Sequence, residues 1–277
     1  MSGILYLVAT PIGNLEDITL RALRVLQEVD CIAAEDTRHT LQLLNHFHIA
    51  KPLISYYKQT EKQKGAVLLN KLQEGKNIAL VSDAGTPAIS DPGEEVVKLC
   101  IQNGIQVVPV PGACACITAL IASGLSTKNF TFVGFLPVHS REKIAELEKL
   151  KYLTSTLVFY EAPHKILHTL QSMLDVFGDR PIVLCRELTK IHEQYIRGTI
   201  SEVLTRLDNP RGEFVILIEG NQQLPPSSAT ILSHLSLEGH YAYYEKQGLD
   251  KKEIIKQIAK DRHLPKNDIY QHFLQKK

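Results

Sequence analysis

The chain has 277 residues, a formal net charge of +1, 44% hydrophobic and 22% charged residues, values that exclude a disordered or fibrous protein and allow a buried core. At this length two compact units of roughly 100 to 130 residues each, with a small tail, are expected. Five cysteines, Cys31, Cys100, Cys114, Cys116 and Cys185, are odd in number and lack CxxC spacing, so neither a disulfide framework nor a metal site is expected.

No apolar run reaches membrane-spanning length, and the opening MSGILYLVATPIG is broken by Pro11 and Gly13 without a basic n-region, so a cytoplasmic location is expected. In chain order, residues 3–9 predict a strand, 17–29 a helix, and 31–34 and 77–81 two further strands. A helix is expected to begin near Pro92, followed by a strand at 106–110 and a small-residue helix at 113–123. This alternation predicts an α/β layer structure with a largely parallel sheet, forming a first domain over 1–124.

After Gly124-Leu125-Ser126 a second series begins. Strands are expected at 130–135, 156–160, 181–186 and 213–219, separated by helices at 141–151, 163–177 and 201–207. Residues 193–199 also read as a strand with no helix before it, so this second domain, 125–221, is expected to hold a mixed sheet. The turn formers of Asn221 to Ser228 predict a linker that opens a small helical basic tail over 222–277. Two apolar stripes, Ile254, Ile255, Ile258, Ala259 and Ile269, Tyr270, Phe273, Leu274, flank Leu264-Pro265 and predict two short helices resembling a helix-turn-helix. Charge is uneven: residues 245–277 hold nine basic against five acidic residues, the remainder 22 against 25.

Several strands are expected to end in polar loops. Thr10-Pro11-Ile12-Gly13-Asn14 reads as a tight turn or as a backbone shaped for close ligand approach. In Glu35-Asp36-Thr37-Arg38 a strand delivers two carboxylates, a hydroxyl and a guanidinium to one loop, either as a helix cap or as a cluster that holds a substrate hydroxyl or phosphate. The run Val81-Ser-Asp83-Ala-Gly85-Thr-Pro-Ala-Ile89-Ser-Asp91-Pro-Gly93 lacks the dinucleotide and P-loop patterns, yet its glycines, prolines and carboxylates point to a ligand site. Pro111-Gly112 leads into a small-residue helix whose N-terminal amides face the cleft, although a tight helix-sheet contact alone explains the composition equally well. Phe159-Tyr160-Glu161-Ala162-Pro163-His164 and Arg186-Glu187-Leu188-Thr189-Lys190 end strands of the second domain in polar groups.

Taken in order, VATPIGNLEDIT, AAEDTR, LVSDAGTPAISDPG, VPVPGACACITAL, FVGFLP, FYEAPHKI, RELTKIHE and GEFVILIEG closely resemble the bacterial 16S rRNA (cytidine-2'-O)-methyltransferase family, within the tetrapyrrole methylase superfamily. The resemblance spans about residues 1–221, and the helical tail is similar to that family's C-terminal region. It implies a two-domain tetrapyrrole-methylase fold of α/β class with S-adenosyl-L-methionine in the interdomain cleft, and a homodimer. Carried over position by position, it implies that Pro11, Asp83, Gly85, Ile89, Cys114, Ala115, Tyr160, Glu161, Gly212 and Glu213 line the cofactor pocket. Cys114 stands where porphyrin-type members carry a hydroxyl residue, and AGTP at 84–87 replaces their GGDP, a departure that points to the RNA branch.

The implied activity is 2'-O-methylation of the ribose of a cytidine in the decoding region of 16S rRNA, with the small ribosomal subunit as partner. The alternative is a tetrapyrrole, precorrin-like, C-methyltransferase. A ribose hydroxyl needs its proton partly removed before it attacks, and Glu35, Asp36, Glu161 and Glu187 are the candidate bases. Arg38 and Arg186 suit RNA phosphates. The catalytic set is therefore expected among Glu35, Asp36, Arg38 and Glu187.

Overall fold

The computed structural model describes residues 2–208, 210–222, 235–262 and 264–274. Residues 1–220 form one compact unit and 221–277 a second.

The first unit opens with a parallel sheet of five strands, β1 (Ile4–Val8), β2 (Cys31–Ala34), β3 (Leu53–Ser55), β4 (Ile78–Val81) and β5 (Gln106–Val110), in the order β3-β2-β4-β1-β5. Its helices are α1 (Leu20–Glu28), α2 (Thr37–His46), α3 (Glu61–Gln73) and α4 (Glu94–Gln102). Side chains alternate across a strand. Ile78 and Leu80 therefore pack with Leu68 and Leu72 of α3 and Val96 and Cys100 of α4, whereas Ala79 and Val81 pack with Val25 and Leu26 of α1 and Leu44 of α2. Burial on both faces explains why this strand reads as one apolar run rather than an alternation.

Residues 35–76, where the sequence offers only the alternative of a helix cap at 35–38, contain α2, β3 and α3. The helix α2 buries only Thr40 and Leu44, and β3 is three residues long, so neither leaves a periodic apolar signal. The other predicted elements appear within a few residues of their expected limits. The helix expected near Pro92 starts at Glu94 because Gly93, at φ 150°, precedes it.

The second sheet, β6 (Phe130–Phe135), β7 (Thr156–Glu161), β8 (Pro181–Arg186), β9 (Gln194–Thr199) and β10 (Phe214–Ile218), has the order β6-β7-β10-β8-β9. It is mixed, as the helix-free approach to β9 predicts: β6 pairs parallel with β7 and the remaining pairs are antiparallel. One face carries α6 (Ser140–Leu150), α7 (Ile166–Phe177) and α8 (Ile200–Arg206) over a core of Leu157, Phe159, Leu184, Phe214 and Ile216. The other face, with Val158, Val183, Val215 and Leu217, is covered by Cys116, Ala119 and Leu120 of α5 (Ala115–Ser123). The small-residue helix that leaves the first sheet thus packs against the second. It ends at Gly124, whose φ of 84° is the left-handed conformation that closes many helices.

The second unit holds three described helices, Leu237–Glu245, Lys251–Asp261 and Lys266–Leu274, where two were expected. Leu237–Glu245 escapes sequence detection because Gly239 interrupts it and its apolar side chains are spread around the axis. Ile254, Ile255, Ile258 and Ala259 are buried with Tyr244 and Ile269, as the first stripe predicts. Residues 223–228 of the predicted linker lie outside the described residues.

Candidate active site

The carboxyl ends of the first sheet are knitted into one edge. Thr10 and Gly85 exchange backbone N–H to O bonds of 2.9 and 3.1 Å. The Thr86 hydroxyl donates to the Ala113 carbonyl at 3.0 Å, and the Asp36 N–H donates to Asp83 Oδ1 at 2.9 Å. Gly85 takes φ 82°, where a Cβ would stand 3.0 Å from Ile12 Cγ2. At Gly112 a Cβ would stand 2.8 Å from that of Ala9, so both glycines answer to close approach of the loops. Ala88 holds φ 64°, a strained state for a residue with a Cβ, costing about 1–3 kcal/mol. The adjacent strands β4 and β1 send the chain in opposite directions, to β5 and to β2, and such a crevice is where open α/β sheets take ligands.

The second sheet supplies the facing wall. A register shift between Phe132 and Gly134, with Gly134 at φ 74°, bends β6 and re-aims Phe135 toward Tyr160, ring centroids 5.6 Å apart. Tyr160 is pinned from the other side, where its hydroxyl oxygen accepts the Cys116 N–H at 3.0 Å. Burial raises the Tyr160 hydroxyl above its ordinary range, so it stays protonated. In the loop after β8 both Glu187 and Thr189 adopt positive φ, 52° and 65°, and the buried Thr189 hydroxyl and Arg186 Nε have no hydrogen-bond partner among the described residues. Lys190 in that loop pairs with Glu187 at 3.0 Å and with Glu213 at 3.8 Å.

Between the walls lies a cavity of about 540 Å³, within the range of small-molecule sites. Glu35, Asp83 and Asp91 line one side, and Ile12, Ile89, Leu188, Phe214 and Val215 give it apolar surface. Burial, then the neighbouring Asp91 and Asp83 charges, push Glu35 from 4.5 up to about 7. Burial also raises Asp91. A wall of crowded carboxylates beside apolar surface suits a ligand that carries positive charge on a flat, largely apolar body.

The structure gathers many of the residues singled out in the sequence. Asp83, Gly85, Ile89, Cys114 and Ala115 line the cavity, as do Tyr160, Glu161 and Glu213. Pro11 and Gly212 lie outside the lining. At Gly212, φ 82°, a Cβ would meet Glu187 Oε1 at 2.3 Å, so this glycine seats the Glu187 loop. Of the four expected catalytic residues only Glu35 lines the cavity. Asp36 is the N-cap of α2, accepting the Arg38 N–H at 2.8 Å, and it pairs with the Arg38 guanidinium at 2.7 Å. That pair holds the Asp36 carboxyl below the usual carboxylate range, and the Arg38 side chain is 87% exposed.

Glu187 faces Lys190 and accepts the Glu213 N–H at 3.2 Å. Burial alone would raise its carboxyl, but these donors hold it low. Lining residues that the sequence reading did not select include Asp91, Lys190, His164 and Phe135. Asp91 was legible as the second aspartate of its loop, and His164 and Lys190 as polar groups at strand ends; only the β6 bulge turns Phe135 inward.

The profile of the family described as Tetrapyrrole (Corrin/Porphyrin) Methylases matches residues 4–204. The chain is 51% identical over 270 residues to a protein of Halalkalibacterium halodurans named ribosomal RNA small subunit methyltransferase I, covering 97% of this chain and 93% of that protein. It is 49% identical over 271 residues to the protein of the same name from Bacillus subtilis, with the same coverages. Its fold is similar to the crystal structure of uroporphyrin-III C-methyltransferase from Thermus thermophilus complexed with S-adenyl homocysteine, at TM-score 0.56 and 19% identity over 78% of this chain and 97% of that one.

Proposed function

This chain belongs to the tetrapyrrole methylase family, and from that premise we propose that it transfers a methyl group from S-adenosyl-L-methionine to small-subunit ribosomal RNA. The acceptor is the ribose 2'-oxygen of a cytidine in the decoding region of 16S rRNA. The observation that carries this reading is the cavity in which Glu35, Asp83 and Asp91 face apolar surface from both sheets. The ligand's sulfonium and ammonium charges suit the carboxylates, and its adenine suits Ile12, Ile89, Phe214 and Val215. The names of the relatives that match almost the whole chain favour RNA over the tetrapyrrole alternative.

When bound, the cofactor supplies an electrophilic methyl on a sulfonium. The protein's part is orientation and proton management. Fixed loops and the pinned Tyr160 hold the cavity's shape, which is where most of the rate of an in-line displacement arises. Glu35, brought near neutrality by burial and by Asp91 and Asp83, has the proton affinity suited to taking the acceptor hydroxyl's proton at working pH. Asp36 and Arg38, already paired to each other at the surface end of β2, serve as cap and as a contact for RNA phosphate rather than as a base. The protein acts in the cytoplasm, where ribosomal subunits assemble, and as a homodimer; a monomer mass by light scattering at micromolar concentration would reject the dimer.

Small ribosomal subunits lacking their own methylation, incubated with the protein and labelled cofactor, test the reaction and the acceptor together. A 2'-O-methyl group protects its own linkage from alkali, so partial hydrolysis should show one missing band. Label on a base atom, or transfer only to a tetrapyrrole, would overturn the reading.

A further inference from the structure

Glu161 ends β7 on the cavity wall, yet it is only 5% exposed and both of its oxygens are engaged. Oε1 accepts the Ala162 N–H at 2.9 Å, and Oε2 accepts the Thr169 hydroxyl at 2.6 Å. The Thr169 oxygen in turn accepts from the Lys143 ammonium at 2.7 Å. Thr169 is 1% exposed and Lys143 2%, and the two come from α7 and α6, on the face of the second sheet that carries the main hydrophobic core. A lysine so deep in a core is costly unless it answers a charge. Here the answering charge is Glu161, one hydroxyl away.

We infer that Lys143 and Thr169 are positioning residues that act through Glu161, a polar relay running from the core of the second sheet to the wall of the proposed S-adenosylmethionine site. The inference rests on that reading of the cavity. Each hydrogen bond in the relay has one possible direction. The ammonium only donates, so the threonine oxygen must accept from it and must point its own proton at the carboxylate, which only accepts when ionised. The relay therefore favours one rotamer of Glu161, a residue that lines the cavity. Burial pulls the Lys143 ammonium below its usual value; the Glu161 charge pushes it back up and Lys165 opposes it.

This also removes Glu161 from the candidate bases. A carboxylate that already accepts a hydroxyl and an amide in the protein's interior serves binding, fixed as an anionic wall for the cofactor's cationic or hydroxyl groups.

Calorimetric titration of full-length protein with S-adenosylmethionine, beside thermal melts, tests the relay. Thr169→Val keeps the shape and removes the hydroxyl, and binding at least tenfold weaker is expected. Thr169→Ser restores the hydroxyl and should bring the affinity back to within about twofold of wild type. Ser172→Ala, one turn along α7 where the hydroxyl donates only to the His168 carbonyl at 3.0 Å, controls for loosening of the helix. It should lower the melting temperature without changing the affinity. If Thr169→Val does not fold, Lys143→Gln, which keeps a donor but removes the buried charge, is expected to weaken binding as well. Wild-type affinity in either folded variant overturns the relay, as does a serine variant no better than valine. Wild-type protein that binds no S-adenosylmethionine would take down the functional reading and this inference with it.

Discussion

The two units of the chain treat charge in opposite ways. In residues 1–220, Glu35, Asp83 and Asp91 are turned into a cavity. In the unit 221–277 Asp261 is turned inward with both oxygens engaged: it accepts the Tyr244 hydroxyl at 2.6 Å and Gln257 Nε2 at 3.1 Å, with His240 Nε2 3.2 Å away. Lys251, Lys252, Lys256 and Lys260 stand exposed on the outside of the same helix. A buried carboxylate with both oxygens engaged fixes a fold, whereas crowded carboxylates beside apolar surface suit a ligand. The proposed division, cofactor chemistry in the first unit and RNA electrostatics in the second, can be attacked from either side.

The largest effect is expected on the cavity side. Gly85→Val forces a β-branched residue into φ 82° and drives its Cβ against Ile12, itself part of the lining. A backbone penalty of about 3 kcal/mol spent on the bound conformation weakens cofactor binding about 100-fold. Calorimetry on the folded variant checks this, and unchanged affinity would remove the loop from the site. RNA affinity in the absence of cofactor should hardly move.

The mirror-image change lies in the tail. Replacing Lys251, Lys252, Lys256 and Lys260 by glutamine leaves the buried stripe of Ile254, Ile255 and Ile258 intact. Cofactor affinity should be that of wild type, while RNA affinity falls about tenfold at moderate salt. If all four reach phosphates, the slope of log affinity against log salt becomes shallower by about three, because each phosphate contact releases a condensed counterion. Equal slopes would mean that these lysines are only a solvated face.

How far the sequence disclosed these two regions follows from what each feature needs. Strand ends such as Val81-Ser82-Asp83 and Tyr160-Glu161 are visible because loops at the carboxyl edge of an α/β sheet are polar where core strands are apolar. Asp36 and Arg38 were visible as well, but for the wrong reason. A cap and its ion partner have the same composition as a catalytic cluster, and only the geometry separates Asp36, bonded to the start of α2, from Glu35, one residue earlier and facing the cavity. The relay from Lys143 was invisible, since its members lie 8 and 26 residues apart on elements whose crossing no local pattern announces. The helix Leu237–Glu245 was missed because, beside the stripe of Leu237, Tyr241 and Tyr244 that packs in the second unit, Ala242 and the exposed Tyr243 spread apolar side chains around the axis and Gly239 interrupts it.

The smallest effect expected is also the one that best isolates Glu35. Its carboxyl is raised from 4.5 to about 7, so between those values the folded protein binds a proton that the unfolded chain does not. Stability contributed by this group therefore rises as pH falls from about 7 toward 4.5, and above 7 the buried charge is a penalty of order 1–2 kcal/mol after solvent screening. Glu35→Gln removes the penalty, so it should melt higher than wild type at pH 8 and about level with it near pH 5. A cationic ligand seated beside Glu35 reverses the balance, because a nearby positive charge favours the ionised form. Binding of S-adenosylmethionine near pH 7 should then release up to one proton, read as a dependence of the calorimetric enthalpy on the buffer's ionisation enthalpy. The release should vanish in Glu35→Gln and survive unchanged in the four-lysine variant. If wild type released no proton, or if the glutamine variant released as many, the cation would sit elsewhere in the cavity and Glu35 would lose its claim to the acceptor's proton.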